Sequence, residues 1–194
     1  MIDDIKVIIL AAGLSRRMGD VNKLLIDIEG EPMVRRAAKL YRSVFSSVTV
    51  VTGFEAERIE RSLVGLDITT LFNPDFEVGQ QSSLQQALVK DNLQHEAMMI
   101  ALADQPFLTR LDISNFAQDF LSSDRSKIYI PFFKSERGNP VIFPKVFLQE
   151  MKKGGRPING RNFIRDNPEH VHKYKAPNEA FITDIDTRDD LDLF

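Results

Sequence analysis

The chain contains no cysteine. That excludes disulfides, cysteine–zinc centres, iron–sulfur clusters and thiol nucleophiles, and it fits a reducing compartment. Histidine is scarce. His95, His170 and His172 stand at no metal-ligand spacing from another candidate ligand and read as surface residues. Excess positive charge is missing too: the net charge is -3, so no global basic field serves nucleic acid, and anion binding falls to local clusters. No apolar run approaches the ~20 residues that span a bilayer. The opening Met-Ile-Asp-Asp carries acid where a secretory leader carries positive charge. A cytoplasmic protein with neither a membrane nor a nucleic-acid partner is expected. Gly-x-Ser-x-Gly is absent, and no serine has a Ser-His-Asp context. The Gly-x-x-x-x-Gly-Lys-Ser/Thr phosphate loop and the Gly-x-Gly-x-x-Gly dinucleotide fingerprint are absent as well, which argues against a P-loop ATPase or kinase and a classical dehydrogenase.

What is present is an ordinary globular composition over 194 residues, with 43% hydrophobic and 27% charged. The length suits one domain, residues 1–194, with a proper core. Apolar strand-length runs at Ile5–Leu10, Val48–Val51, Asp67–Phe72, Ala97–Leu102 and Lys127–Phe132 alternate with helical patterns. These patterns start near Glu31-Pro32, Glu55, Leu84, Thr109 and Lys145. Thr109 is a predicted helix N-cap, with Asp112 three residues on. Further segments are predicted as strand at Val141–Phe143, short helix at 159–165, edge strand at Val171–Tyr174 and strand at Phe181–Ile185. The alternation predicts an α/β domain with a mostly parallel sheet. Ligands of such sheets bind outside the carboxyl ends of the strands.

Candidate functional residues fall at those ends. Val7–Lys23 joins a buried strand to a small-residue turn, followed by Arg16, Arg17, Gly19 and Lys23. Small residues let the backbone approach an anion, oriented N–H groups make a concavity for it, and Arg and Lys neutralise its charge. The stretch suits a polyphosphate. Asp104 follows Ala97–Leu102 in Leu-Ala-Asp-Gln-Pro, where a carboxylate suits a hard cation such as Mg²⁺ or a turn alike. Asp184 and Asp186 flank Ile185. In a strand they point to opposite sides, so one of them shares a site with Asp104. Asp186, nearer the carboxyl end, is the preferred ligand, and Asp184 is read as structural. Arg137-Gly-Asn-Pro and the Lys152–Arg156 loop are polar turns that suit either an anionic substrate or solvent.

Leu10-Ala-Ala-Gly-Leu-Ser-Arg-Arg-Met-Gly19 with Lys23 resembles the signature of the nucleotidyltransferases that activate sugars, isoprenoid precursors and molybdopterin. Four later stretches resemble the molybdenum cofactor nucleotidyltransferases, in that family's order. They are Asn73-Pro74-Asp75…Gly79…Ser82-Ser83-Leu84, Leu102–Pro106, Arg137–Val141 and Asp184–Thr187. The resemblance implies a Rossmann-like three-layer α/β/α fold and Mg²⁺-dependent transfer of NMP from an NTP. It points to the branch that uses CTP and a molybdopterin acceptor, because the guanylyl branch has glycine where this chain has Ala12. By the same resemblance, Leu10, Ala11, Ala12, Gly13 and Leu14 lie beside the nucleotide. Arg17 and Lys23 hold phosphates, with Asp104 completing the catalytic set. Ser82 and Ser83 help read the base, and Asp104 and Asp186 ligate Mg²⁺. GTP with molybdopterin, a polyol-phosphate acceptor, or a non-catalytic carrier serving a molybdenum hydroxylase stand as alternatives. The Gly154–Arg161 stretch departs from the family's Gly-Asp-x-Gly-x-Arg, which bears on the acceptor. A monomer is expected.

Overall fold

The computed structural model describes residues 1–194 apart from Gly19, Asp20, 155–158, Arg188 and Phe194, and apart from the side chains of Arg17, Asp192 and Leu193. In chain order the elements are β1 (Ile2–Ala11), β2 (Asp27–Ile28), β3 (Glu31–Pro32), α1 (Met33–Arg42), β4 (Phe45–Thr52), α2 (Ala56–Leu63), β5 (Thr69–Phe72) and α3 (Gln80–Lys90). They continue with β6 (Ala97–Leu102), α4 (Arg110–Ser122), β7 (Ile128–Phe133), β8 (Glu136–Arg137), β9 (Val141–Pro144), α5 (Lys145–Lys153), α6 (Gly160–Asp166) and β10 (Val171–Lys175).

The main sheet runs β10-β7-β9-β6-β1-β4-β5, with β8 paired to β7 outside that path. β1 lies between β4 and β6, parallel to both. That double burial is why Val7–Leu10 is an unbroken apolar run, with Lys6 just ahead of it. β9 is antiparallel to β6 and β7, so the sheet is mostly rather than wholly parallel.

Alternation along β1 builds two cores. Ile5, Val7, Ile9 and Ala11 pack on one face with Val34 and Tyr41 of α1, Ile59 of α2 and Phe116 and Phe120 of α4. Ile8 joins the other face, with Leu84 and Leu88 of α3, Phe147 and Leu148 of α5 and Ile164 of α6. Helices therefore cover both faces, giving the expected Rossmann-like three-layer α/β/α arrangement. Among the described residues no helix is long and apolar enough to cross a membrane.

Local signals set several boundaries. Thr109 caps α4 as expected: its Oγ1 accepts from Asp112 N at 3.2 Å, and Asp112 Oδ2 accepts from Thr109 N at 2.9 Å. One predicted strand is not formed. Glu179–Phe181 is a single 3₁₀ turn, and the chain then runs irregularly to Thr187. Its polar groups are tied to loops instead of a neighbouring strand. Asn139 N donates to Phe181 O at 2.9 Å, Gln105 Nε2 donates to the same oxygen at 3.0 Å, and Ile185 N donates to Asp104 O at 2.9 Å. Gly138 allows this close approach, since a Cβ there would lie 2.3 Å from Phe181 O.

Candidate active site

A cleft of about 430 Å³ opens at the carboxyl ends of β1 and β6. Leu10, half-buried near the end of β1, opens onto it, and the turn Ala12-Gly13-Leu14 forms one wall. Phe76, Glu77 and Gly79 continue the lining beside that turn, and Gln80 and Ser83 bring in the first turn of α3. A helix N-terminus presents unpaired N–H groups and the positive end of its dipole, which suits an anion. Lys23, Asp104 and Asp186 close the far end.

Leu10, Ala12, Gly13, Leu14, Lys23, Ser83, Asp104 and Asp186 therefore meet in this one cleft. Two residues of the expected set do not reach it. Ala11 ends β1 with its side chain in the α1-facing core. Ser82 is buried, and its hydroxyl belongs to the loop that precedes α3. Its Oγ accepts from Asn73 Nδ2 at 2.8 Å and lies 2.7 Å from Asp75 O and 2.8 Å from Gly79 O. Asn73, itself fully buried, also donates to Ser83 Oγ at 3.1 Å and accepts from Asp75 N at 3.0 Å. The Asn-Pro-Asp…Ser-Ser stretch is thus a self-tied loop that fixes the Phe76–Gly79 wall. The side chain of Arg17 and the residues 155–156 of the basic loop lie outside the described residues. Phe76, Glu77 and Gln80 were not singled out from sequence; their place between two motif halves was the only signal for them.

The polar end of the cleft holds an aspartate cluster. Asp104, Asp184 and Asp186 each offer an oxygen, and these atoms all lie within 4.8 Å of one another. This corrects the expectation that only one of Asp184 and Asp186 faces Asp104. Strand alternation does not apply because this segment is irregular, and both carboxylates turn the same way. Asp190 holds the segment in shape, its Oδ2 accepting from Asp186 N at 2.9 Å and Thr187 N at 2.7 Å.

Lys23 enters the same cluster. Its Nζ lies 2.6 Å from Asp104 Oδ2, 2.8 Å from Asp186 Oδ1 and 2.9 Å from Ile185 O. Burial works against its charge, but Asp104 and then Asp186 outweigh it and hold the amine above its ordinary pKa. Asp184 is pushed up by burial and by the charges of Asp104 and Asp186.

The cluster fits a hard divalent cation. Asp104 Oδ1 is buried with no hydrogen-bond partner among the described residues. Buried carboxylate oxygens need a cation or donors, and an all-oxygen set matches Mg²⁺ chemistry.

A second cleft of about 240 Å³ adjoins the first and shares Leu10, Gln80 and Leu102 with it. Arg137, Asn139, Asn159 and Arg161 stand around an apolar floor that includes Val141 and Phe143. Burial and the neighbouring Arg161 charge lower the Arg137 pKa. Two guanidinium groups facing one cleft, with no ion pair to either among the described residues, suit an anionic ligand.

Residues 7–172 match the family model described as the MobA-like NTP transferase domain. The chain is 28% identical over 188 residues to the molybdenum cofactor cytidylyltransferase of Escherichia coli (strain K12), covering 96% of this chain and 93% of that protein. It is 31% identical over 102 residues to a probable molybdenum cofactor guanylyltransferase of Natronomonas pharaonis, covering 52% of this chain and 50% of that one. Among solved structures, a nucleotidyl transferase from Methanothermobacter superposes with a TM-score of 0.80 at 21% identity, covering 96% of this chain and 94% of that chain.

Proposed function

The chain belongs to the MobA-like NTP transferase family and is a nucleotidyltransferase; from that premise we propose that it transfers CMP from CTP to molybdopterin and releases pyrophosphate. The observation that carries the transfer chemistry is the meeting of Lys23, Asp104, Asp184 and Asp186 at one end of a cleft otherwise walled by the Ala12–Leu14 turn and the start of α3. The cytidylyl choice rests on Ala12 and on likeness to the Escherichia coli enzyme across nearly its whole length.

The triphosphate lies along the Ala12–Leu14 turn and the N-terminus of α3, where backbone N–H groups receive its oxygens. The second cleft receives the acceptor, with Arg137 and Arg161 on its negative charge and the apolar floor beneath its ring. A phosphate oxygen of the acceptor attacks the α-phosphorus, the bond to the bridging oxygen breaks, and pyrophosphate leaves. That acceptor oxygen is already anionic, so no strong general base is required, in keeping with the absence of a histidine from the cleft lining. Asp104 and Asp186, with Asp184 beside them, would hold a Mg²⁺, which supplies charge neutralisation for the phosphates. The protein's share is positioning and charge stabilisation.

The test is pyrophosphate release from CTP, GTP, ATP and UTP with Mg²⁺ and molybdopterin. Release with CTP that depends on the acceptor is expected. Turnover with GTP instead moves the protein to the guanylyl branch, and nucleotide binding without turnover makes it a carrier.

A further inference from the structure

We propose that Lys23 is a cation held by the aspartate cluster before a metal arrives, and that nucleotide and metal therefore bind with positive coupling, each displacing Lys23 for the other. The inference rests on the cluster being the metal site of a nucleotidyltransferase, and not on which base or acceptor is used.

An ammonium group has three donors and no acceptor. All three have partners here, at 2.6 Å on Asp104, 2.8 Å on Asp186 and 2.9 Å on Ile185 O. The Lys23 side chain is only 14% exposed, so little water competes for it. Without a cation, carboxylate oxygens this close would repel one another across a partly buried site. Lys23 offsets that repulsion in the empty enzyme.

The same oxygens are the metal donors. A divalent ion on Asp104 and Asp186 would sit a few ångströms from a fixed ammonium, and two cations at that spacing repel strongly. Metal binding must therefore expel Lys23 Nζ from the cluster. Without nucleotide the expelled amine exchanges two carboxylates for water, and metal affinity is lowered by the work of displacing it. A triphosphate in the cleft changes this balance, because it offers the amine anionic oxygens within reach. The lysine stem is held for such a swing: Lys23 N donates to Ser15 Oγ at 3.2 Å, which fixes the backbone and leaves the side chain to move. By linkage, the factor by which nucleotide tightens metal equals the factor by which metal tightens nucleotide.

The experiment titrates Mn²⁺ into nucleotide-free protein and follows the electron paramagnetic resonance signal of the unbound ion. Wild type is compared with Lys23→Met, which keeps an unbranched side chain one atom shorter and removes the charge. The variant is expected to bind Mn²⁺ at least about tenfold tighter than wild type, and Lys23→Met combined with Asp104→Asn to lose that gain. With CTP present, and after allowance for chelation of Mn²⁺ by CTP in solution, the tightening caused by nucleotide is expected to be smaller in the variant. Lys23→Gln repeats the measurement if Lys23→Met does not fold. A folded variant that binds Mn²⁺ no tighter than wild type overturns the proposal alone. No Mn²⁺ binding by either protein, with or without CTP, overturns the metal-site reading along with it.

Discussion

Lys23 and Asp104 are 81 residues apart in sequence and 2.6 Å apart in space. The contact joins the loop after β1 to the loop after β6 and brings the basic and acidic halves of the site together. Asp104→Asn keeps the side-chain shape and removes the charge. Transfer is expected to fall about 100-fold or more, as when one element of transition-state charge stabilisation is lost. The variant should still fold and melt cooperatively, because the fold's core lies elsewhere, with a modest fall in melting temperature from the lost Lys23 pair. Pyrophosphate release measured beside thermal melting checks this, and full turnover by the variant would remove Asp104 from the catalytic set.

The parts that were readable from sequence are those set by local chemistry. Ala97–Leu102 forms a strand with those very limits because it is apolar throughout, five of its six residues are buried between two neighbours, and it ends at a polar turn. Thr109 caps a helix because its hydroxyl and Asp112 satisfy each other's backbone groups. The cleft itself was legible through the rule that ligands sit at strand carboxyl ends. The aspartate cluster was only half legible. Phe181 and Ile185 are buried as a strand pattern requires, yet the segment bonds to Gln105, Asn139 and Asp104, partners that no local pattern reveals. Ser82 looked like a ligand residue because it belongs to a polar motif, but Asn73 and two carbonyls engage its hydroxyl.

Ala12 lines the larger cleft, with its methyl group set against the end of β4. A Cβ built on Gly53 would lie 2.7 Å from Ala12 Cβ and 2.5 Å from Phe76 Cβ, so the three residues are in close contact at this wall. Ala12→Gly removes one methyl group from the cleft. One methylene-sized change in a pocket shifts discrimination by about 10-fold or somewhat more. The ratio of kcat/KM for CTP over GTP is expected to fall by that order, with the fold retained. An unchanged ratio would mean that the base is chosen elsewhere.

Asp112 connects two distant parts of the chain. Its Oδ2 closes the cap of α4, and its Oδ1 accepts from Asn178 Nδ2 at 2.8 Å, just before the irregular segment that carries Asp184 and Asp186. Asp112→Ala removes the half of the cap that accepts from Thr109 N, keeps the bond from the residue-112 N–H to Thr109 Oγ1, and leaves the part-buried Asn178 amide without its partner. A cost of about 2 kcal/mol is expected in urea unfolding. Thr109→Ala, which loses only the cap, should cost about 1 kcal/mol. Equal costs for the two variants would show that the Asn178 contact adds nothing.

Tyr41, on the core-facing side of α1, is fully buried, and its hydroxyl has no hydrogen-bond partner among the described residues. A buried polar group left unpaired costs about 1 kcal/mol or more, so Tyr41→Phe is expected to raise the melting temperature by about 2–4 °C. The same burial pushes the phenol above its ordinary pKa, and Asp104 and Asp186 hold Lys23 above its own against the effect of burial. In both cases the folded state keeps a proton that the unfolded chain releases above about pH 10. Their contribution to stability is therefore complete below that pH and is lost as pH rises toward the folded-state values. Melting curves between about pH 8 and about pH 11 should fall less steeply for Tyr41→Phe than for wild type, because the phenol's share of the alkaline loss is gone while that of Lys23 remains. Parallel curves for the two proteins would mean that Tyr41 ionises alike in the folded and unfolded chains.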